Sequence, residues 1–215
     1  MIIHKIHLQE IFKGVITIKA VIMSGGMGTR LRPLTCHLPK PMVPIFNKPV
    51  MEYGIELLKE HGIEDIAITL YYLPDKIMDY FGDGKDFGVN LKYYIEDKPL
   101  GTGGSVKNAY EFLDDTFIVI SGDAFTNIDL SKAYKFHKER KSKATLVLKR
   151  ETIPLEYGVV ITDIDGKIIR FLEKPSWGEV FSDTINTGIY ILEPEVMDYY
   201  KVGENFDCSK DLFAK

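Results

Sequence analysis

One stretch of this chain, Val21 to Pro44, limits what the rest can fold into: VIMSGGMGTRLRPLTCHLPKPMVP. The apolar run from Ile16 to Met23, broken only by Thr17 and Lys19, reads as a buried strand, and Gly25, Gly26 and Gly28 follow it at once. Glycines placed there let the backbone turn tightly and bring bare N–H groups against a ligand. Arg30, Arg32 and Lys40 add fixed positive charge within the same loop. An apolar strand, an N–H cradle and several cations are what a polyphosphate requires, since its oxygens accept hydrogen bonds and its charge must be neutralised.

Two familiar phosphate loops do not fit. No Gly-Lys-Ser/Thr follows the strand, which excludes GxxxxGK[ST]. A dinucleotide fingerprint can be half-fitted on Gly26 and Gly28, but Leu31 stands where the third glycine belongs. Glu52, the acidic residue near the right distance, falls inside a helical pattern rather than at a strand end. A nicotinamide-dependent oxidoreductase is excluded on that ground. The remaining pattern, GxGTRLxPLTxxxPKPMxP, is too long for chance recurrence.

On that pattern the chain resembles the sugar nucleotidyltransferases, which join a sugar 1-phosphate to a nucleoside triphosphate. Within them it is most similar to the mannose-1-phosphate guanylyltransferases, with glucose-1-phosphate uridylyl- and thymidylyltransferases close behind. The resemblance runs from about Ile18 to the C-terminus. It implies a Rossmann-like three-layer α/β fold built on a mostly parallel mixed sheet. The pattern of elements agrees: a helix opened by Pro49, the strand IAITL, a helix from about Pro74 to Phe81 and the strand LKYYIE alternate in order. Such sheets bind ligands beyond the carboxyl ends of their strands.

A second glycine cluster, Leu100-Gly101-Thr102-Gly103-Gly104, follows LKYYIE and reads as a turn leading into a helix SVKNAYEFL. The resemblance lays Leu100, Gly101 and Thr102 against the nucleotide base. Glu96 has a carboxylate able to accept from guanine N1–H and the N2 amino group, donors that uracil and thymine lack. Relatives selective for uridine or thymidine tend to carry glutamine near this point, so Glu96 favours GTP; a surface glutamate at a strand end is the plain alternative. FIVISGDAF then gives a buried strand with Asp123 just past its end, a turn residue or, by the resemblance, the holder of Mg²⁺. Asp129 reads as a helix cap, and the basic helix after it as a solvated face rather than a nucleic-acid surface.

From Ile153 the strands shorten. The resemblance puts the sugar against Tyr157, Gly158, Glu173 and Asn186, and sets Lys174 on the sugar's phosphate. It assigns the triphosphate to Gly25, Gly26, Gly28, Thr29 and Arg30, with Lys40 steadying the transferring group. Singly, each of these pieces reads as a hairpin, a surface ion pair or a turn; their order and spacing give them weight.

At 215 residues, 45% hydrophobic and 27% charged, the chain suits one sizeable α/β domain. A formal net charge of -4 argues against general nucleic-acid binding. Cys36 and Cys208 offer neither a disulfide framework nor metal spacing, consistent with a cytoplasmic protein, and no segment is apolar and long enough for a membrane. Nucleoside triphosphate and sugar 1-phosphate are the expected partners, with homo-oligomerisation left open. Residues 1–17 fall outside the resemblance as an extension of unassigned role. Residues 18–215 read as one nucleotidyltransferase domain, incomplete at its C-terminus. The family continues to a Trp-x-Asp-Ile/Val-Gly-Thr segment that carries a second metal aspartate, whereas the sole tryptophan here is Trp177. The expectation is weak or absent turnover by these residues alone, with nucleotide binding retained. A non-catalytic assembly subunit of the same fold is the rival class; an intact glycine loop and Asp123 favour an enzyme.

Overall fold

The computed structural model describes residues 18–213, so the expectation about residues 1–17 lies outside it. The opening strand β1 (Lys19–Ser24) runs through tight helical turns at Thr29–Leu31 and Lys40–Met42 into a small ladder of β2 (Pro44–Ile45) and β3 (Lys48–Pro49). Then come α1 (Val50–Glu60), β4 (Asp65–Leu70), α2 (Pro74–Phe81), β5 (Asn90–Ile95), α3 (Gly101–Asn108) and β6 (Phe117–Ser121). Next are α4 (Leu130–Arg140), β7 (Ala144–Arg150), β8 (Gly158–Thr162), β9 (Ile168–Glu173) and β10 (Thr184–Leu192).

The main sheet has the order β5-β4-β1-β6-β10-β8-β9, with β7 paired to β10. The first four of these strands are parallel. β10 is where the sheet divides. Its residues Ile189 to Leu192 pair antiparallel with β6, Ile185 pairs with Val159 of β8, and β7 follows its opposite edge. A parallel half is thereby joined to an antiparallel half by one strand.

Side chains in a strand alternate faces, and the core follows that rule. Ala20, Ile22, Ile66, Ile68, Ile118 and Ile120 pack on one face with Met51, Ile55 and Leu58 of α1 and Tyr134 of α4. Val21, Ala67, Phe117 and Val119 pack on the other with Val106 of α3, Phe206 and Cys208. Both faces of the inner strands β4, β1 and β6 are covered, which is why these read as mostly apolar runs, whereas the edge strand β5 is partly exposed. Met51, Ile55 and Leu58 fall at helical spacing, and α1 ends just before Gly62, whose φ of 77° suits a C-terminal cap. Asp129 caps α4, accepting from Lys132 N at 2.9 Å.

The second glycine cluster departs from the expected turn. It forms the first turn of α3 itself, and Tyr110–Phe112 is a separate turn beyond it. The reason lies far along the chain. Phe206 O accepts from Gly103 N and Gly104 N at 3.0 and 3.1 Å, satisfying N–H groups that a helix start leaves open. A Cβ at Gly103 would stand 2.1 Å from the Phe206 ring, which is buried and stacked on Tyr200 at 3.7 Å between centroids. Gly103→Ala should therefore lower stability by about 1–3 kcal/mol through overpacking. Urea unfolding checks it, and an unchanged midpoint would show that the Phe206 contact is dispensable.

The topology also says where a ligand goes. The chain passes from β1 to β4 on one side, then from β5 across to β6 on the other. That reversal opens a crevice at the carboxyl ends of β1 and β6. No helix among the described residues is long and apolar enough to cross a membrane.

Candidate active site

The loop after β1 is held open by its own contacts. Gly28 adopts φ 61°, where a side chain is strained, and a Cβ there would meet Lys40 and Thr35 at 3.1 Å. Thr35 Oγ1 donates to Gly28 O at 2.7 Å, and Tyr72 Oη donates to the Thr35 and Cys36 carbonyls at 3.0 and 2.9 Å. Tyr72 was not singled out by sequence, since a tyrosine just past a strand carries no local signal of what it grips.

This loop forms one wall of a cavity of about 840 Å³. Gly25, Gly26, Gly28, Thr29, Arg30 and Lys40 line it from the first glycine stretch. Glu96, Leu100, Gly101 and Thr102 line it from the end of β5 and the start of α3, Asp123 from the end of β6, and Tyr157 from the antiparallel half. Gly158, Glu173, Lys174 and Asn186 do not line it. Lys174 N donates to Tyr157 O at 3.0 Å, and Glu173 pairs with Gly158 across β8 and β9, so these three adjoin Tyr157. The Asn186 amide is engaged within the chain: Nδ2 donates to Tyr190 Oη at 2.9 Å and Ser209 Oγ at 3.3 Å, and Oδ1 accepts from Gly188 N at 3.1 Å.

Asp123 follows the buried run Phe117 to Ile120, and Gly122 N, bonded to Met23 O at 2.8 Å, fixes the turn that presents it. Its carboxylate pairs with Lys40 and accepts from Ser121 Oγ. Burial pushes this carboxyl up, but Lys40 and Ser121 outweigh burial and leave it below the usual carboxylate range. It stays ionised at neutral pH. Arg30 is exposed on the cavity wall and has no carboxylate partner among the described residues, so its charge is available to a ligand.

Glu96 is buried. Its Oε1 accepts from Ser105 Oγ at 2.5 Å and its Oε2 from Leu100 N at 3.1 Å, which ties the end of β5 to α3. A Cβ at Gly25 would lie 3.2 Å from Oε1, so the carboxylate sits close beneath the first loop. Burial pushes its carboxyl up, opposed by the Ser105 and Leu100 bonds. Two of its roughly four lone-pair sites remain for a ligand.

Asp207 is a wall residue whose place in the sequence, just before Cys208-Ser209-Lys210-Asp211, suits a helix cap. It is one: Oδ1 accepts from Ser209 N at 2.8 Å and Lys210 N at 3.2 Å, opening the π-helical turn Cys208–Leu212. It also lines the cavity. A capping signature is local and gives no sign that its carboxylate borders a site assembled from residues a hundred positions away.

Loop, cations and carboxylate meet on one cavity beyond the first strand of an α/β sheet. The chain belongs to the nucleotidyl transferase family, whose model matches residues 19–214. It is 46% identical over 213 residues to the UTP–glucose-1-phosphate uridylyltransferase of Synechocystis sp., covering 92% of this chain and 54% of that protein. It is 36% identical over 197 residues to the mannose-1-phosphate guanylyltransferase of Mycobacterium tuberculosis, covering 91% and 54%. The chain thus spans about half the length of both. Among solved structures, HddC of Yersinia pseudotuberculosis complexed with GMP-PN matches with a TM-score of 0.77 and 31% identity, covering 90% of this chain and 84% of that one. The family and the α/β fold expected from sequence are both borne out.

Proposed function

We propose that this chain carries the nucleotide site of a sugar-1-phosphate nucleotidyltransferase, with GTP and mannose 1-phosphate as substrates. The observation that carries this is the meeting of Gly25 to Thr29, Arg30, Lys40 and Asp123 on one cavity. In the reaction a sugar 1-phosphate oxygen attacks the α-phosphorus in line. One P–O bond forms, the bond to the β-phosphate bridging oxygen breaks, and pyrophosphate leaves with that electron pair. The nucleophile's second ionisation lies near a pKa of about 6, so it is largely dianionic at neutral pH and needs no general base. The obstacle is repulsion between two anions, and positioning and charge neutralisation overcome it.

The amides of the first loop and Arg30 take the triphosphate. Lys40 steadies the transferring phosphoryl group, and Lys174, beside Tyr157, meets the incoming phosphate. Among the described residues no cluster of three or more carboxylate, histidine or cysteine ligands exists. Mg²⁺ nonetheless suits Asp123, because that ion takes one or two carboxylates together with substrate phosphates and water. The donor is a hard, ionised oxygen already paired with one cation, Lys40. When bound there, the ion supplies charge neutralisation between phosphate oxygens.

For the base, Glu96 supports guanine: a buried carboxylate on the cavity wall, with spare acceptor sites and no cation partner among the described residues. Glu96→Gln can keep both internal bonds, because Ser105 Oγ can accept where it formerly donated. It should cut the preference for GTP over UTP about tenfold, the worth of one charge-assisted hydrogen bond. Competition binding of the two nucleotides checks this, and an unchanged ratio removes guanine recognition by Glu96. The uridylyltransferase relative at 46% identity favours a second reading, uridylyl transfer to glucose 1-phosphate. Pyrophosphate release measured with four nucleoside triphosphates and with mannose and glucose 1-phosphates decides between them. No release and no nucleotide binding with any combination would sink the proposal.

A further inference from the structure

Asp207 lines the cavity and lies in a segment bonded to α3 and, through Ser209, to β10. Thr102 Oγ1 donates to its Oδ2 at 3.0 Å, and the same hydroxyl accepts from Cys208 N at 2.8 Å. Asn205 Nδ2 donates to Pro99 O at 2.8 Å, so the segment is fastened to the second glycine cluster on both sides of Phe206. Two residues on, Ser209 Oγ receives Asn186 Nδ2 of β10 at 3.3 Å. Residues 205–209 are therefore a strap from the nucleotide side to the antiparallel side, with Asp207 the carboxylate it presents to the cavity.

Three donors within the chain hold this carboxylate, two on Oδ1 and one on Oδ2. Oδ2 retains acceptor capacity. No cation pairs with it among the described residues, whereas Asp123 on the same wall has Lys40. An unpaired carboxylate repels phosphate and favours the uncharged, donor-bearing part of a ligand. Its neighbours on the wall include Gly101, Thr102 and Tyr157, which carry no charge.

We propose that Asp207 is a recognition residue of this cavity, accepting a hydrogen bond from a hydroxyl of the ligand's sugar, either the nucleotide's ribose or the hexose. The proposal rests on the nucleotidyltransferase reading, and it gives Asn186 a supporting part, steadying the strap through Ser209 rather than touching the sugar itself.

The test compares wild type with Asp207→Asn, which keeps a good helix cap, by titration calorimetry. The ligands are GTP and UTP, their 2′-deoxy and 3′-deoxy forms, mannose 1-phosphate and 2-deoxyglucose 1-phosphate. Wild type should bind one deoxy form about tenfold or more weaker than its hydroxylated parent. Asp207→Asn should lose that difference by binding the parent weakly and the deoxy form as wild type does. A deoxynucleotide showing the effect assigns ribose; the deoxysugar assigns the hexose. If Asp207→Asn melts early, Asp207→Ser, also a capping residue, takes its place. Discrimination unchanged in a folded variant overturns the inference alone. No binding of any nucleotide by wild type overturns the nucleotidyltransferase reading and this inference together.

Discussion

Replacing Asp123 by alanine lowers whatever turnover these residues support by about 10³-fold, the upper range for removing one preorganised electrostatic group from a transition state. The fold should survive, because the strand before Asp123 is held by its buried apolar run and the turn by Gly122 N and Ala124 N, neither of which uses the side chain. Lys40, left without its partner, is partly exposed and can be hydrated. Two controls separate charge from structure. Chelation of Mg²⁺ should depress wild type about as far as the substitution does, and Asp123→Ala should no longer respond to Mg²⁺. The loss should also be the same at pH 6 and pH 8. The folded carboxyl lies below its ordinary value, so its ion pair contributes stability above the unfolded pKa of about 3.9 and loses it only as pH falls through the lower folded value. Rates within a few fold of wild type would remove Asp123 from the mechanism.

Arg30→Ala should cost about 100-fold in nucleotide affinity and turnover, the worth of one or two charge-assisted hydrogen bonds. Arg30 sits in the short turn Thr29–Leu31, exposed and without an ion-pair partner among the described residues, so its removal leaves no orphaned charge. Stability should stay within about 0.5 kcal/mol of wild type, as for ordinary surface substitutions. Arg30→Lys should recover only part of the loss, because an ammonium lacks the planar fork that grips two phosphate oxygens. Thermal unfolding with calorimetric titration of Mg·GTP measures both effects. Affinity unchanged in Arg30→Ala would show that the triphosphate lies elsewhere.

The parts of the site legible in the sequence were those written locally. A buried strand followed by glycines and cations puts Gly25 to Arg30 at a strand's carboxyl end whatever the rest of the chain does. Asp123 was legible for the same reason, as a carboxylate two residues past the end of a strand of four buried apolar residues and Ser121. What escaped depended on contacts between distant segments. Gly103 and Gly104 read as a flexible turn because Phe206 and Glu204, which crowd them respectively, are about a hundred positions away. Asp207 carries a correct local label, that of a cap, whereas Asn186, read as part of a turn, lies in β10; neither label says which surface the residue faces. Lys174 and Glu173 fall at the end of β9, which among the described residues reaches the sheet through β8, and where that hairpin sits over the cavity depends on pairings no local pattern shows.

The most direct measurement is calorimetric titration of the chain with Mg·GTP and Mg·UTP, repeated in excess chelator and on Arg30→Ala and Asp123→Ala. One saturable site, weakened about 100-fold by Arg30→Ala and made insensitive to Mg²⁺ by Asp123→Ala, is the expected result. No saturable binding of either nucleotide, or binding that ignores both substitutions, would contradict a single polyphosphate cavity shared by the glycine loop, Arg30 and Asp123.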